Sequence, residues 1–599
     1  MKKLLTGNEA IARGAYEAGA TFASAYPGTP STEILESLAK YSDIAAEWAP
    51  NEKVAVEAAI GASLGGARCI TSMKHVGVNV AADPLFTFAY TGVNGGMVLV
   101  TADEPGQHSS QNEQDNRNYA KFSKIALLEP ADSQECKDMT ALAFTLSEQF
   151  DTPVMIRSTT RVSHSKSIVE CGTRQQVPAR TYQKNIHKYV PVPVHSRKLR
   201  LQVEERLHQM AEYAESTQLN RIEYQSDSKV GVIASGMCYY YAREVFGQTA
   251  SYLKLGFTNP LPRRKLTEFC SRVDVVYIVE ENDPFIEEEV ERLGFGEKIR
   301  GKNCLPPSGE MTPDVLRKAF FNQTLPALTA DTDDVLPRPP ALCAGCPHRG
   351  VFYALGRRKD LIVAGDIGCY SLGYDAPYNA MDFSFCMGAS FSAGHGLQKV
   401  LDTESNNQRR VVGILGDSTF FHTGINSLLE VVYNNSRTIC VILDNSITAM
   451  TGHQNNPGNG LNAKGEIANA TSIETVVRAI GIQHLWIVNP NQLDEVDHAL
   501  DQALDLDVPS VIIARYPCAL KRLSEAEKQA YQNPFTKHCY VEAETCIGCR
   551  ACLRCGCPAL AFDRRTKKAY IDPVQWVGCT ICAQICPKQA IQTEGRDQA

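Results

Sequence analysis

No stretch of this sequence is apolar for the roughly twenty residues that a membrane-spanning helix needs. The opening residues Met1-Lys2-Lys3-Leu4-Leu5 are soon followed by Asn8, Glu9 and Arg13. They lack the apolar core of a secretory leader, and the expectation is a cytoplasmic location. Positive charge is not in excess. The formal net charge of −7 gives no reason to expect nucleic acid or an anionic membrane surface as a partner. Short internal repeats and low-complexity tracts are missing too. What remains is a globular composition, 44% hydrophobic and 21% charged over 599 residues, long enough for several domains.

Cysteine is abundant. Twenty-one cysteines in a chain without an export signal argue for metal ligation in a reducing compartment, and against a disulfide scaffold. Two runs near the end each close on Cys-Pro. The first holds Cys546, Cys549 and Cys552, then Cys557-Pro558. The second holds Cys579 and Cys582, then Cys586-Pro587. Short CxxCxxC loops wrap three thiolates around one four-iron cluster, and a distant Cys-Pro supplies the fourth. The pattern resembles two-cluster bacterial ferredoxins. Zinc is the weaker reading, because zinc ribbons do not use triple runs ending in Cys-Pro.

The second run is defective. Counted back from Cys586, its first cysteine would fall at position 576, which is Trp576. In two-cluster ferredoxins the first three cysteines of one run share a cluster with the Cys-Pro of the other. One cluster is then complete with Cys546, Cys549, Cys552 and Cys586. The other has only Cys557, Cys579 and Cys582. A three-iron cluster, a non-cysteine ligand, recruitment of Cys555 and loss of the cluster all stay open.

Elsewhere the fold class is α/β. Ala10–Ala20 reads as a helix; 67–72, 96–101 and 154–156 read as buried strands, the signature of a parallel sheet between helix layers. Further strands are expected at 230–234, 275–279, 361–364, 411–415, 438–443 and 510–514. The expected domains are a first α/β domain at 1–175, a polar connector at 176–225, a second α/β domain at 226–330, an acidic and proline-rich linker at 331–340, a third α/β domain at 341–535, and the cysteine-rich tail at 536–599.

Two of these strands run into Gly416-Asp417-Ser418 and Asp444-Asn445-Ser446. Asp417 and Asn445 would each present an oxygen at the carboxyl end of a parallel strand, where open α/β sheets bind ligands. With the Ile447 carbonyl they suit octahedral Mg2+ on a diphosphate, and Gly416 allows close backbone approach. This resembles the GD(G/S)…N motif of thiamine diphosphate enzymes. Such enzymes also need a carboxylate from another domain at the aminopyrimidine ring. Glu52, preceding the small-residue helix 58–66, has that context. Glu57 is its competitor, and a carboxylate serving only the helix dipole is the plainer reading.

Tyr26-Pro27-Gly28-Thr29-Pro30-Ser31, Ser72-Met73-Lys74-His75-Val76-Gly77, Cys343-Ala344-Gly345-Cys346-Pro347-His348, the stretch Gly416 to His422 and the ferredoxin-like tail together resemble the large (alpha) subunits of the indolepyruvate:ferredoxin oxidoreductases, within the 2-oxoacid:ferredoxin oxidoreductase family. The likeness spans essentially the whole chain. It implies pyrimidine, transketolase-C-like, diphosphate and ferredoxin domains in that order, and a smaller beta (gamma-type) subunit as partner. It also implies a third, proximal cluster on Cys343, Cys346, Cys369 and Cys518, although buried free cysteines are the plainer alternative. The implied reaction decarboxylates an arylpyruvate oxidatively, with coenzyme A taking the acyl group and ferredoxin the electrons. A related 2-oxoacid enzyme, for example one acting on phenylglyoxylate, and an electron-transfer subunit with a vestigial thiamine site are the rivals. Thr29 would face the substrate carboxylate, or merely cap the next helix. His75 and His422 would handle protons, or be structural. Arg117 would pair with a carboxylate, or be an exposed loop arginine.

Overall fold

The computed structural model describes residues 1–226, 228–326, 335, 339–404, 409–532, 535 and 537–595. Most of the expected linker at 331–340 lies outside the described residues. The chain divides into two compact units, Met1–Ala330 and Asp331–Ala599. No described helix is long and apolar enough to cross a membrane.

The first unit holds one two-stranded sheet, Lys2–Thr6 with Lys166–Glu170, and two large sheets. The larger has seven strands in the order Phe257–Asn259, Ala126–Leu128, Val154–Thr159, Met97–Asp103, Cys69–Lys74, Phe22–Ala25 and Ala45–Trp48. All neighbours are parallel except the first pair. Its central strands are continuously buried, as expected where helices cover both faces. The smaller sheet has five strands, with Val230–Ser235, Ser251–Leu255 and Val275–Val279 parallel at its centre. The short strand Phe257–Asn259, just beyond its second central strand, crosses to the edge of the larger sheet.

Helix starts are set by side-chain caps. The first helix runs Gly7–Glu17, not Ala10–Ala20, because Thr6 and Glu9 close a capping box ahead of the apolar repeat. Likewise Asn51 accepts from the Val54 amide at 2.9 Å, so the helix expected from residue 58 starts at Glu52. Within the polar stretch after residue 175, a 24-residue helix, Pro193–Ser216, buries Leu199, Val203, Met210 and Ala214.

The second unit is built on a five-stranded, fully parallel sheet in the order Leu361–Ala364, Arg410–Gly416, Ile439–Asp444, Ser510–Arg515 and His484–Val488. This sheet order puts the ends of strands Arg410–Gly416 and Ile439–Asp444 side by side. The tail adds two antiparallel strand pairs, Lys537–Val541 with Ile591–Gly595 and Leu560–Asp563 with Lys568–Ile571. Its short helices, Ala551–Cys555 and Ile581–Ile585, pack on each other. The tail docks on the sheet domain through Gln584, which accepts from the Leu493 amide at 2.9 Å and donates to the Asn491 carbonyl at 2.7 Å.

Candidate active site

Asp417 follows the strand Arg410–Gly416 and Asn445 follows its neighbour Ile439–Asp444. Asp417 is buried, and burial, reinforced by the nearby Asp444 carboxylate, pushes it up to about 8. Asn456 donates its amide to Asp417 at 3.0 Å and to Ser418 Oγ at 3.1 Å. Ser418 and Thr448 share a hydroxyl bond of 2.6 Å. Asp444 is neutralised by Arg515 Nε at 2.7 Å, whereas Asp417 has no ion pair among the described residues. A buried carboxylate beside amide, hydroxyl and carbonyl oxygens is a donor set that suits a hard divalent cation such as Mg2+. Tyr370 closes the floor, with its hydroxyl 2.7 Å from Thr419 Oγ1. A Cβ at position 416 would lie 2.6 Å from the Tyr370 ring, so only glycine fits there.

Several groups at this site were not singled out from the sequence. The His348 ring, buried, lies 3.5 Å from the Asn445 amide nitrogen, and burial pulls it down to about 4, so it is neutral near pH 7. Asp366, buried and pushed up to about 6 by burial, accepts from the Gly388 and Ser390 amides at 3.1 Å. Asn456 carried no recognisable spacing. His348 stood next to a quoted cysteine pair, and that adjacency was the one available signal. His422 is buried in the turn Phe420–Gly424, with Nδ1 3.2 Å from Thr423 Oγ1.

Cys343, Cys346, Cys369 and Cys518 come together beside this pocket. Burial pushes Cys346 up to about 12 and Cys369 up to about 11. Cys346 also senses Cys369 and Cys518, Cys369 senses Cys518 and Cys343, and Cys518 senses Cys343 and Asp417. The Cys518 amide donates to the Asn445 carbonyl at 3.1 Å, tying the last of these cysteines to the end of the strand that carries Asn445. Among the described residues no three His, Cys, Asp or Glu groups converge as they would on one metal ion.

The tail forms two further cysteine-lined cavities. One is lined by Cys546, Cys549, Cys552 and Cys586 with Arg550 and Lys588. These are the four cysteines that the crossed-run pattern assigns to the complete cluster. The other is lined by Cys555, Cys557, Cys579 and Cys582, together with Trp576, Val577, Gly345 and Arg349. Arg349 is fully buried. It donates from Nε to the Cys343 carbonyl at 3.1 Å, and from Nη1 to the Cys555 carbonyl at 3.0 Å and to the Gly556 carbonyl. At Gly345, with φ +70°, a Cβ would overlap Val577. The Cys343–Cys346 loop therefore lies directly against the second tail cavity.

The first unit gathers its own candidates at the carboxyl ends of its parallel strands. Glu52 is buried at the first position of its helix, with its carboxylate against Gly77, where a Cβ would lie 2.8 Å from Oε1. Glu57 is exposed and pairs with Lys53. Lys74 lays its stem on Gly28 and its ammonium 3.6 Å from Glu104; burial lowers its pKa, while Glu104 and then Glu52 counter that shift. Thr29 is half-buried and caps nothing. The following helix starts at Thr32, and Ser31 turns back onto the Gly28 carbonyl at 2.8 Å. His75 is buried, with Nε2 3.1 Å from the Asn112 carbonyl. Arg117 is not an exposed loop arginine. It opens the helix Arg117–Ser123, is 1% exposed, and spends its guanidinium on Asp115, on Glu280 at 2.6 Å and on the Glu281 and Asp283 carbonyls. Its carboxylate partners are thus the protein's own.

Comparison with known proteins places the chain. Residues 13–227 match the model of the pyruvate flavodoxin/ferredoxin oxidoreductase thiamine diphosphate-binding domain. Residues 366–514 match the model of the C-terminal thiamine pyrophosphate-binding domain of thiamine pyrophosphate enzymes. An indolepyruvate oxidoreductase subunit IorA of Archaeoglobus fulgidus is 41% identical over 99% of this chain and 97% of its own length. The subunit of that name from Pyrococcus horikoshii is 38% identical over 99% of this chain and 97% of its own. Among solved structures, a 2-oxoglutarate:ferredoxin oxidoreductase from Magnetococcus marinus aligns at 16% identity over 53% of this chain and 64% of that one, with a TM-score of 0.44, a distant likeness on which nothing below rests. The chain is a thiamine diphosphate-dependent 2-oxoacid:ferredoxin oxidoreductase subunit. Within that class it belongs to the family of the indolepyruvate oxidoreductase IorA subunits.

Proposed function

We propose that this chain, with a smaller beta subunit, decarboxylates arylpyruvates of the indolepyruvate and phenylpyruvate type oxidatively, yielding an arylacetyl-CoA, carbon dioxide and reduced ferredoxin. The observation that carries the redox half of this reading is the unbroken series of cysteine groups in the second unit. It starts at Cys518, bonded to Asn445, and continues through Arg349 and Gly345 to the two tail cavities. A non-oxidative thiamine lyase has no use for such a series. The aryl side chain rests on the likeness to proteins named for indolepyruvate.

In this reading Asp417, Asn445 and the Ile447 carbonyl hold Mg2+ and the diphosphate, with Gly416 and Ser418 lining the approach. Thiamine diphosphate, when bound, supplies the electron sink for decarboxylation. The protein's part is to bind, orient and move protons. Glu52, buried against Gly77, would hydrogen-bond the aminopyrimidine ring and promote its imino form. His348, neutral, steadies the Asn445 amide. Thr29, after the Gly28 turn, offers its hydroxyl and backbone amide to the substrate carboxylate, and His75 and His422 remain proton-handling candidates by their burial near strand ends. Arg117 is assigned to structure. The matching domain division is pyrimidine-binding at 1–175, transketolase-C-like at 226–330, diphosphate-binding at 341–535 and ferredoxin-like at 536–599, joined by the connector 176–225 and the linker 331–340.

The test is anaerobic viologen reduction by the chain co-expressed with its small partner, supplied with indolepyruvate with and without coenzyme A. Coenzyme A-dependent reduction is the expected result. Aldehyde formation without reduction would sink the redox half, and turnover of aliphatic 2-oxoacids alone would sink the substrate assignment.

A further inference from the structure

Trp576 stands where the second cysteine run needs its first ligand, and the fold brings a different thiol to the same cavity. The second tail cavity is lined by Cys557, Cys579 and Cys582, the three cysteines the run pattern leaves for the second cluster, and by Cys555. Trp576 itself lines this cavity and is buried, so its indole fills the wall where a cysteine at 576 would have presented sulfur. We propose that Cys555 is the fourth ligand of a second tail [4Fe-4S] cluster, and that the Cys555–Trp576 pair exchanges the ligand position between the two runs. This rests on the reading of the tail as an electron-transfer domain.

Three features support the exchange. First, Cys555 ends the helix Ala551–Cys555, one turn beyond Cys552. Cys552 lines the other tail cavity, so two thiols three residues apart line two neighbouring cavities. Secondly, the backbone after Cys555 is clamped. Its carbonyl accepts from Arg349 Nη1 at 3.0 Å and from the Tyr378 hydroxyl at 2.7 Å. Gly556 follows with φ +61°, and a Cβ there would meet the Tyr378 hydroxyl at 2.8 Å. This tight left-handed turn lets Cys555 and Cys557 face one cavity although only one residue separates them. Thirdly, Arg349 places a buried positive charge on the cavity wall, which favours a cluster of net negative charge with thiolate ligands. Each ligation exchanges an S–H for an S–Fe bond and releases the proton.

A fifth thiol is near. Cys539, buried on the strand Lys537–Val541, hydrogen-bonds Cys582 but does not line the cavity. It is therefore not a ligand here and is the natural control.

The experiment uses the full chain co-expressed with its partner subunit and purified anaerobically, with iron and sulfide analysis, Mössbauer and electron paramagnetic resonance spectra at graded reduction. The unmutated complex is expected to hold only four-iron clusters. Cys555→Ala should lose about a third of the iron of a three-cluster chain, or convert one cluster to a three-iron form, while thiamine diphosphate stays bound. Cys555→Ala combined with Trp576→Cys should restore the four-iron spectrum, which separates ligand loss from misfolding. Cys539→Ala should leave iron and spectra unchanged. Unaltered iron and spectra in Cys555→Ala, a native three-iron signal in the unmutated complex, or iron loss in Cys539→Ala alone would each overturn the assignment. Iron for only one cluster together with intact substrate-dependent reduction would overturn it too, without touching the proposed reaction.

Discussion

Two groups of buried charge, one in each unit, are assembled on opposite terms. In the first unit Arg117 and Arg157 meet Asp103, Asp115, Glu129 and Glu280 with almost no exposure to solvent. Every cation there has a carboxylate within 2.6 Å, and Asn282 and backbone carbonyls take up the remaining donors. In the second unit Asp417 is just as buried, but its neighbours are an amide and another carboxylate. Every carboxylate of the first group has an arginine partner within the protein, and the group joins the two larger sheets of its unit. The second has no cationic partner for Asp417 among the described residues. Burial of charge therefore does not mark a functional site by itself; a buried carboxylate without a cationic partner does.

The comparison breaks most sharply at Asp417. Asp417→Ala should abolish retention of thiamine diphosphate and Mg2+ and reduce turnover to background, while the thermal unfolding of the cofactor-free chain is unchanged or raised, because an uncompensated buried carboxylate has been removed. Full cofactor retention by that variant would contradict the ligand assignment. Glu52→Gln should keep cofactor and fold but lower turnover by about 10²–10⁴-fold if its proton is used, as steady-state viologen reduction would show. Arg117→Ala should act in the reverse sense. Expected are a loss of about 3–5 kcal/mol in the denaturant unfolding of the first unit, because Asp115 and Glu280 would stay buried unpaired, and cofactor still held by the folded fraction. A stability equal to the parent would show that the cluster does not hold the sheets together.

A smaller effect appears on the pH axis. Burial alone would raise Asp115, but Arg117 and Arg157 hold it down at about 2, below its ordinary 3.8. A lowered folded-state value stabilises above the unfolded one, so this contribution is full above about pH 4 and is lost as the pH falls through about 2. Acid unfolding monitored by circular dichroism should show that slope in the parent and a flatter one in Asp115→Asn. Smallest of all, Glu57→Gln should change stability by no more than about 0.5 kcal/mol and leave turnover alone, since Glu57 is exposed and only pairs with Lys53. A large loss of turnover there would reverse the choice between Glu52 and Glu57.

The α/β class and the strands carrying Asp417 and Asn445 were legible from the sequence, because period, turn residues and cysteine spacing are local signals. Val275–Val279 and Leu361–Ala364 fall at the positions read from the sequence. Element starts were less legible: Thr6 and Asn51 shift two helices toward the amino terminus through caps that precede the apolar pattern. Arg117 was misjudged in one of its two readings because its partner Glu280 is 163 residues away, and no local pattern announces a pair at that separation.

The sequence by itself determined the chemistry on offer: which residues can hold a diphosphate, and a tail with one complete set of cluster thiols. Tertiary structure alone decided which groups keep each other company. It seats His348 against Asn445, and it gathers Cys555, Cys557, Cys579 and Cys582 around one cavity although Trp576 breaks their run. The physical reason is that spacing along the chain constrains only a few neighbouring residues, whereas a buried charge or thiol takes its properties from every atom packed around it, wherever in the sequence that atom arises.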